Sequence, residues 1–410
     1  MRIVCVGGGP AGLYFAILAK LANRGHDITL LERNPAGVTY GWGVVFWEDL
    51  LESLYRSDPE SAREIAEAAV RWDQQEVHIR GQTALHIGGY GFSIGRDRLL
   101  EILTRRAVSL GVDIQFQREL GDVSELADAD LIVACDGANS TVRRLQGAHF
   151  QTNVEVGRNK YIWLGTDKVF DAFTFAFEET AAGWLWFHGY RFCGDASTCI
   201  VECPQETWEG LGFDTLGPDE TLRRLEGIFP RQLAGHSLFN QRRDLDKAPW
   251  LNFRRLTNER WYHDKVVLMG DAAHTTHFTI GSGTKLAIQD AIGLAGKLGE
   301  TQDLQAALKA YEEERRTALL PIQDKARSSA EWFENVPSYV GQPTIRFAYS
   351  LFNRRGGTSW YYPFYLASQT AALRGLVRSL HSARRWVRQG GTWAPSRRMG
   401  TELRLPSSFR

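Results

Sequence analysis

The sequence predicts a protein of the α/β class, in which helices flank a parallel sheet and a separate part of the chain forms an antiparallel sheet. Three observations support this prediction. Residues 1–33 read as strand, glycine-rich turn, helix and strand. Two later apolar runs also end in turns rich in glycine and aspartate, at residues 130–143 and 265–284. Residues 154–260 instead alternate and are rich in aromatic side chains, which is typical of antiparallel strands with one covered face.

The first of these units has the spacing of a dinucleotide-binding motif. Gly7, Gly9 and Gly12 occupy the glycine positions of G-x-G-x-x-G, and Glu32 ends the second strand. In such a unit the first glycine makes the tight turn, the second lets the backbone approach a pyrophosphate, and the third lets helix and strand pack closely. The helix N-terminus offers free N–H groups to the phosphates, and the acid accepts hydrogen bonds from a ribose. An accidental glycine-rich turn is the alternative.

The two later turns repeat this arrangement. Asp136–Gly137 follows the strand predicted at 130–134 and opens a helix, as a phosphate-binding turn would. Gly270–Asp271 follows another predicted strand and runs through two more glycines into a helix predicted at 284–298. Three such turns from distant parts of the sequence would converge on one dinucleotide. Chance produces that convergence far less readily than a single motif.

Composition and charge exclude several classes of protein. The chain has 410 residues, which suggests two or three domains, and 48 basic residues balance 48 acidic ones. Because this balance creates no overall field, we expect no binding to nucleic acid or to an anionic membrane. The apolar run Leu13–Leu21 contains Lys20 and is too short to span a bilayer. The strand at the very start of the chain predicts that no signal peptide precedes the fold.

The cysteine pattern indicates thiols rather than disulfides or a metal site. The five cysteines have neither C-x-x-C nor zinc-ligand spacing, and Cys5 and Cys135 lie inside apolar strand patterns. We therefore expect no metal and buried, reduced thiols, which fits a cytoplasmic protein.

A second glycine-rich segment, Gly41-Trp42-Gly43-Val44, follows the nucleotide-binding unit. Two glycines around a tryptophan suggest backbone that passes close to a flat cofactor. A surface loop with one packed tryptophan is the alternative.

Together, the three motifs resemble those of the single-component FAD-dependent aromatic hydroxylases with the fold of p-hydroxybenzoate hydroxylase. Gly7–Gly12 with Glu32 resembles the ADP-binding motif of that family. Asp136–Gly137 resembles its second motif, implicated in FAD and nicotinamide binding, and Gly270–Asp271 resembles the third, which holds the FAD ribose and pyrophosphate. One departure is that His274–Thr279 stands where many members have two prolines.

Within the family the resemblance narrows to a few members. Gly157–Trp163 and Ser197–Cys203 are similar to segments of salicylyl-CoA 5-hydroxylase and the anthranilyl-CoA monooxygenases. Gly41–Val45 is shared with the tryptophan-derivative hydroxylase of violacein biosynthesis. The resemblance implies a three-layer β/β/α FAD-binding domain of Rossmann type, an antiparallel-sheet substrate domain and C-terminal helices. The expected ranges are 1–71, 92–153 and 261–330 for the first, 72–91 and 154–260 for the second, and 331–410 for a C-terminal helical region with a basic tail.

The same resemblance implies an activity. FAD would take a hydride from NADH or NADPH and react with O2, and the resulting flavin hydroperoxide would hydroxylate an electron-rich aromatic ring. The expected substrate is salicylyl-CoA or a related salicylyl or anthranilyl thioester of CoA or a carrier protein, hydroxylated para to its hydroxyl or amino group. The expected assembly is a monomer or homodimer.

Three alternatives stay open at this level. The first is hydroxylation of a tryptophan- or indole-derived intermediate. The second is a flavin-dependent halogenase, because Trp184 and Trp186 have the W-x-W spacing of that class, although Phe187-His188 follows where Ile-Pro is expected. The third is a catalytically silent protein that binds FAD or the carrier.

The resemblance also implies which residues form the site. FAD contacts are expected from Gly7, Gly9, Pro10, Ala11, Gly12, Glu32, Arg33, Val44, Arg96, Asp136, Gly270, Asp271, Gly281, Gly283 and Thr284. Candidate bases for a phenol proton are His188 and His277, and candidate pocket walls are Trp163, Trp186, Tyr190 and Arg191. Each histidine can equally be a packing residue, each aromatic residue part of the sheet core, and Arg96 a solvated arginine. A CoA moiety needs cations, which either the C-terminal arginines or Arg158 and Lys160 would supply.

Overall fold

The fold comes from a computed structural model that describes residues 1–86, 89–241, 248–356 and 362–368. The basic tail predicted from the sequence, with Arg384, Arg385, Arg388, Arg397 and Arg398, lies outside the described residues. Within the described residues, no helix is both long and apolar enough to cross a membrane.

The described chain contains strands and helices in alternation, followed by a helical C-terminal part. The strands are β1 (Arg2–Val6), β2 (Asp27–Glu32), β3 (Gly43–Phe46), β4 (Val70–Trp72), β5 (Gln75–Ile79), β6 (Gln82–His86), β7 (Gly91–Gly95), β8 (Asp113–Phe116), β9 (Leu131–Ala134), β10 (Thr152–Thr166), β11 (Phe173–Thr180), β12 (Gly183–Arg191), β13 (Ser197–Cys203), β14 (Leu238–Phe239), β15 (Leu251–Asn258), β16 (Tyr262–His263) and β17 (Val266–Leu268). The helices are α1 (Pro10–Ala22), α2 (Glu48–Ser57), α3 (Pro59–Ala68), α4 (Arg96–Ser109), α5 (Thr141–Leu145), α6 (Gly147–Phe150), α7 (Gln205–Gly210), α8 (Pro218–Ile228), α9 (Pro230–Leu233), α10 (Gly283–Glu300), α11 (Leu304–Glu334), α12 (Val336–Tyr339), α13 (Thr344–Asn353) and α14 (Tyr362–Ser368). Short 3-10 turns lie at Val123–Leu126, Gly270–Ala272 and Phe278–Ile280.

The predicted parallel sheet is present. Its order is β16-β17-β9-β1-β2-β8, and every neighbouring pair is parallel except β16 with β17. The central strand β1 is apolar from Ile3 to Val6, and all four of those side chains are buried, as expected for a strand covered on both faces. Helix α1 packs against α4 and α10. A small antiparallel sheet, β3-β7-β4, shares a hydrophobic core with these helices.

The predicted antiparallel sheet is also present and has eight strands. Seven of them follow the order β14-β10-β13-β12-β11-β5-β6, and β15 pairs with β10. All these neighbours are antiparallel except β5 and β11, which run parallel. Strands β5 and β6, from the segment 72–91, therefore join the strands of residues 152–258, as the domain prediction requires. The domain boundaries themselves stay a prediction.

One face of this large sheet is covered by C-terminal helices. Trp332 and Phe333 of α11 and Phe347 of α13 share a buried cluster with Phe177 and Trp186 of the sheet. This packing carries the end of α13 to the edge of the pocket described below.

The structure confirms the predicted fold class, and the helix predicted at 284–298 is α10, which extends from Gly283 to Glu300. Residues 48–68 form two helices rather than one, because Asp58 ends α2 and then caps α3, which begins at Pro59. Proline cannot donate the backbone hydrogen bond that a continuous helix would need at that position.

Candidate cofactor and substrate site

The three predicted turns meet at one edge of the parallel sheet. Strands β1, β9 and β17 are neighbours, and Val6 and Leu268 both lie opposite Ala134 in the register. Each strand is followed at once by one of the three motifs. A further contact ties the second motif to the third, because Arg143 Nη1 donates to the carbonyl oxygen of Ala272 at 2.8 Å.

The three glycines of the first motif have different surroundings. A Cβ atom on Gly7 would lie 2.4 Å from the carbonyl oxygen of Cys135, and one on Gly12 would lie 2.3 Å from the carbonyl oxygen of Gly7. Both contacts are closer than any side chain tolerates, so these glycines permit close packing of backbone on backbone. A Cβ on Gly9 would meet nothing within 4 Å. Gly9 therefore caps α1, which continues through Pro10 and Ala11, beside open space.

Glu32 lies at the end of β2 beside the first motif. Its Oε2 accepts from the backbone N–H of Gly8 at 2.7 Å, and its Oε1 accepts from the backbone N–H of Asn34 at 2.8 Å. A carboxylate has about four lone-pair directions, so capacity remains for a ribose hydroxyl. Arg33, the next residue, is exposed.

Arg96 and Asp271 place opposite charges near each other at this edge of the sheet. The Nε of Arg96 donates to the hydroxyl of Thr39 at 3.1 Å. Burial lowers the pKa of Arg96, while the negative charges of Asp271 and Glu32 raise it, so the guanidinium lies near both acids. The Asp271 side chain is exposed, yet burial among surrounding protein raises its pKa. Asp271 thus combines an exposed side chain with close protein surroundings, as a residue in a concave site does.

Asp136 of the second motif faces the same edge. Its Oδ2 accepts from the backbone N–H groups of Thr141 and Val142 at 2.7 and 3.4 Å, which caps the short helix α5. Its Oδ1 is buried, and no described residue forms a hydrogen bond with it. That orphaned oxygen is available to accept a hydrogen bond from a bound hydroxyl or water.

Asp290 of α10 holds the third motif in shape. Its Oδ2 accepts from the backbone N–H of Gly270 at 3.0 Å and lies 2.8 Å from His274 Nε2, while its Oδ1 accepts from Arg315 Nε at 2.8 Å. Burial alone would raise the pKa of Asp290, but the charges and hydrogen bonds of His274 and Arg315 bring it below its ordinary value. The carboxylate therefore stays ionised and fixes the loop.

The third motif ends at the N-terminus of α10. Gly281 has φ +63°, and a Cβ there would lie 2.6 Å from Cγ2 of Val45, so only glycine fits this approach of the loop to β3. A Cβ on Gly283 would meet nothing within 4 Å. The first turn of α10, which includes Thr284, has no side-chain cap on its free N–H groups.

Strand β3 is fastened to the large sheet by backbone hydrogen bonds of Gly43. Its N–H donates to the hydroxyl of Thr198 at 2.8 Å, and its carbonyl oxygen accepts from the hydroxyl of Tyr190 at 2.8 Å. These bonds set Val44 and Val45 at the boundary between the parallel sheet and the large sheet.

The two glycines around Trp42 approach aromatic side chains of the protein itself. A Cβ on Gly41 would lie 2.9 Å from the ring of Trp163, and one on Gly43 would lie 2.5 Å from Cβ of Phe192. Trp42 is buried. The alternative of a packed tryptophan therefore accounts for these glycines, while a contact of Val44 with the cofactor stays a prediction.

A pocket lies where this boundary meets the large sheet. The space not filled by atoms is about 400 Å³, part of which is open solvent. It is lined by Gly281, a predicted cofactor contact, by Val45, which follows the predicted contact Val44, and by Phe173, Phe175 and Tyr190 of the large sheet. A ring bound here would lie against aromatic walls beside the predicted cofactor.

His188 of β12 lines the pocket. It is 2% exposed, and its Nε2 has no hydrogen-bond partner within the described part of the chain and lies 3.8 Å from Oε2 of Glu202. Burial and the charge of Arg354 keep the pKa of His188 well below its ordinary value, so the imidazole is neutral. Glu202 accepts from Trp186 Nε1 at 3.1 Å, and burial raises its pKa to about 7. The neutral imidazole can accept a hydrogen bond, although its lowered pKa makes it a weak base, and at 3.8 Å it is not hydrogen-bonded to Glu202.

His277 lies beside the pocket rather than in its wall. Its Nδ1 is 2.9 Å from the hydroxyl of Thr279, and its ring centroid is 4.4 Å from that of Phe278. Thr279 and Phe278 line the pocket, whereas His277 does not. Burial lowers the pKa of His277 to about 3, so it is neutral as well.

The other predicted pocket walls occupy different places. Tyr190 lines the pocket, and Trp186 lies on the same face of β12 but is packed against Phe333 with ring centroids 6.0 Å apart. Trp163 packs near Trp42, and Arg191 donates from Nη2 to a backbone carbonyl of β4. Neither of these two lines the described pocket. A role of Trp163, Trp186 or Arg191 in substrate binding stays a prediction.

Two pocket residues, Arg354 and Arg355, are absent from the sequence-based candidates. They follow α13, and both side chains line the pocket. The local signal was a pair of arginines directly after the aromatic helix Thr344–Asn353. Two arginines after a helix are equally typical of a solvent-exposed helix end, and the sequence does not show what this helix packs against.

These residues fit a bound FAD. The space beside Gly9, the uncapped start of α10, the orphaned oxygen of Asp136 and the concave site of Asp271 all lie along one edge of the parallel sheet. Free N–H groups at helix starts suit a pyrophosphate, and the carboxylates suit hydroxyl groups.

Comparison with known proteins identifies the family. A family model described as an FAD binding domain matches residues 1–325. Salicyloyl-CoA 5-hydroxylase of a Streptomyces species is 38% identical over 83% of this chain, which spans 66% of that relative. The 3-hydroxy-4-methyl-anthranilyl-[aryl-carrier protein] 5-monooxygenase of Streptosporangium sibiricum is 36% identical over 88% of this chain and 96% of its own. Protodeoxyviolaceinate monooxygenase of Chromobacterium violaceum is 31% identical over 87% and 95% of the two chains.

Among solved structures, a tetrameric form of 2-methyl-3-hydroxypyridine-5-carboxylic acid oxygenase has a TM-score of 0.68 at 22% identity, covering 86% of this chain and 96% of that one. This structural similarity confirms the fold. The family model and the relatives confirm the family and the cofactors predicted from the sequence. The chain belongs to this family of FAD-binding proteins and is an FAD-dependent aromatic hydroxylase, which uses NAD(P)H as reductant and O2 as co-substrate.

Proposed function

We propose that this enzyme hydroxylates salicylyl-CoA, or a closely related salicylyl or anthranilyl thioester, at the ring position para to the hydroxyl or amino group. One observation carries the proposal: Gly281, predicted to contact the flavin, lines the same pocket as His188 and Tyr190, predicted to contact the substrate, and Val45, the neighbour of the predicted contact Val44, lines it as well. The names of two relatives, a salicyloyl-CoA 5-hydroxylase and an anthranilyl-carrier 5-monooxygenase, support this class of substrate.

The walls of the pocket suit a flat, electron-rich ring. Phe173 stacks on Tyr190 with ring centroids 5.1 Å apart, and Phe175 meets the edge of His188 at 5.0 Å. The hydroxyl of Tyr190 is occupied by the carbonyl of Gly43, so that ring presents its apolar face. Aromatic walls of this kind exclude water and orient a ring by stacking.

The bound cofactor supplies the transfer of a hydride from NAD(P)H and the activation of O2. The residues of the chain hold the ring, exclude water and manage the phenol proton. Neutral His188 accepts a hydrogen bond from the substrate hydroxyl, which favours loss of that proton and makes the ring more nucleophilic. The carboxyl of Glu202 lies 3.8 Å from His188, and Asn159 and Trp186 keep that carboxyl in place by donating to its two oxygens.

The cellular location, the thioester carrier and the oligomeric state are part of the same proposal. All five cysteines are free, four of them are buried, and Cys193 is half-buried. Free thiols support action in the cytoplasm. The thioester carrier, CoA or a carrier protein, is proposed on the names of the relatives, and a monomeric or homodimeric state is proposed on the sequence-based expectation alone.

The test is an oxygenation assay with purified, FAD-loaded protein. Salicylate, anthranilate and their CoA thioesters are each incubated with NADH or NADPH in air, and products are examined by mass spectrometry. We expect a gain of one oxygen atom with a thioester and consumption of reductant that rises when the thioester is added. His188→Phe, which keeps an aromatic ring but cannot accept a proton, is expected to lower the turnover number by about a hundredfold.

Three results would contradict the proposal. Oxygen incorporation only into indole-derived substrates would favour an activity like that of the violaceinate relative. A requirement for halide would indicate a halogenase. Reductant consumption that no phenolic or anilinic thioester stimulates would exclude hydroxylation of this class.

A further inference from the structure

Arg354 carries a charge inside the protein with only neutral partners. It is 7% exposed. Its Nε donates to the hydroxyl of Ser329 at 3.2 Å, its Nη1 to the carbonyl of Leu351 at 2.7 Å and its Nη2 to the carbonyl of Thr279 at 3.2 Å. Its guanidinium also lies over the ring of Phe175 at 5.2 Å. A guanidinium has five N–H donors, so these bonds leave donors of the two terminal nitrogens available.

Arg355 adds a second charge to the same wall. Its Nη2 makes two long hydrogen bonds, to the carbonyls of Thr279 at 3.4 Å and Ile280 at 3.5 Å. Its Nε is buried and has no hydrogen-bond partner among the residues that the structure describes. Burial lowers the pKa of Arg355 to about 10, so it remains charged at neutral pH. The side chain thus presents an unused donor beside the pocket.

No carboxylate compensates these two charges among the described residues. None of the residues lining the pocket is acidic, and neither arginine forms an ion pair within the described part of the chain. The ionisable groups that face the pocket are His188 and Tyr190 from β12 and the two arginines, with neutral His277 next to them. The lining residues from β3, β5, β11 and β13 carry no ionisable group.

Two buried positive charges without a counterion are costly, and cation–π contact offsets only a small part of that cost. A stable pocket of this kind is therefore completed by a negative group that enters from outside. A purely structural role, in which Arg354 fixes the loop of the third motif, would explain its hydrogen bond to Thr279. Such a role would not explain the unused N–H donors or the presence of Arg355 in the same wall.

We propose that Arg354 and Arg355 form a binding site for an anionic oxygen on the aromatic substrate, and that this oxygen is the ionised phenol. The choice of a phenolate rests on the proposed function, because a thioester leaves the phenol as the only ionisable oxygen of the ring. Ionisation moves electron density into the ring and makes it a better nucleophile. The two arginines thereby select phenolic over neutral rings.

The test is equilibrium binding of 4-nitrophenol, whose phenolate absorbs visible light, to the oxidised FAD-loaded enzyme. We expect the bound phenol to ionise about one pH unit or more below the free phenol, because nearby positive charge favours the ionised form. This wild-type shift is itself a test and needs no variant. Arg355→Gln should lose at least half of the shift, and Arg355→Lys, which keeps the charge, should retain most of it. Arg327→Gln, an exposed charge removal on α11, serves as the matched control and should ionise the probe like wild type.

Several outcomes would overturn the inference. They are failure of the probe to bind, binding of the probe as the neutral phenol, and an equal shift in wild type and Arg355→Gln. The measurement uses neither NAD(P)H nor turnover, so it is independent of the oxygenation assay. A retained shift with no hydroxylation would contradict only the proposed function, and hydroxylation without a shift would contradict only this inference.

Discussion

The first glycine motif allows one substitution to be compared at positions with opposite surroundings. Replacing Gly12 by alanine places a methyl group 2.3 Å from the carbonyl oxygen of Gly7 and 2.6 Å from Sγ of Cys135. The backbone of Gly7 and the buried sulfur of Cys135 cannot both move away from the added methyl group. Overpacking of this type costs about 1–3 kcal/mol of the free energy of unfolding. We therefore expect Gly12→Ala to destabilise the apoprotein by about 2 kcal/mol.

Gly9→Ala should behave differently. A methyl group there meets nothing within 4 Å, and φ of −77° is accessible to alanine. Alanine is a poorer helix cap than glycine, by up to about 1 kcal/mol, but it also restricts the unfolded chain, which returns about 0.4–1 kcal/mol. The two effects nearly cancel, so stability should change by less than about 1 kcal/mol. The methyl group occupies the space that we assign to the pyrophosphate, and FAD affinity should fall by about tenfold or more, a loss of about 1.4 kcal/mol.

Two measurements separate these effects. Urea unfolding of the apoproteins reports stability, and quenching of FAD fluorescence reports affinity. Gly296→Ala is the matched control, since Gly296 lies inside α10 with open space around it and alanine there should stabilise the helix by about 0.5–1 kcal/mol. Wild-type stability of Gly12→Ala would refute the packing argument. Wild-type FAD affinity of Gly9→Ala would show that the pyrophosphate does not pass that glycine.

Three buried ionisable groups give further predictions. Burial raises the pKa of Glu202 from 4.5 to about 7, so the folded protein binds this proton more tightly than the unfolded chain. Relative to Glu202→Gln, wild type should therefore lose about 3 kcal/mol of its free energy of unfolding as pH rises from 4.5 to 7. Urea unfolding measures this, and a difference between wild type and Glu202→Gln that is the same at both pH values would contradict it. Asp290→Asn leaves the buried guanidinium of Arg315 without its counterion and should lower the free energy of unfolding by about 3–5 kcal/mol, with loss of FAD. The matched control Asp324→Asn changes an exposed carboxylate and should lower it by less than about 0.5 kcal/mol. Since the pKa of His277 is about 3, His277→Asn should leave the shape of the pH profile of kcat unchanged above pH 5, and loss of an ionisation in that range would contradict the assignment of a neutral ring.

The three motifs were readable from the sequence because each is a local pattern. A glycine that must have positive φ or no Cβ, such as Gly7 or Gly12, follows from turn geometry within a few residues. The apolar runs before each turn predict buried parallel strands. Their meeting at one edge then follows from the parallel arrangement, and the register of Val6, Ala134 and Leu268 agrees with it.

The pocket required the tertiary structure. Strand β12 is buried on both faces from Trp184 to Tyr190, so alternation does not distinguish a core face from a pocket face. Trp186, His188 and Tyr190 point to the same side. Phe333 of α11 contacts both Trp186 and His188, at ring-centroid distances of 6.0 and 4.8 Å, yet only His188 and Tyr190 line the pocket.

The sequence by itself therefore determined the cofactor, the fold class and the type of reaction, because short spacings encode strand ends, glycine turns and caps. Only the tertiary structure decided which side chains surround the substrate. Arg354 and Arg355 reach the pocket across more than 150 residues of chain from His188, because α11 and α13 pack on the large sheet and end at its edge. Packing between distant segments depends on shape and burial throughout the core, and no local spacing in one sequence records it.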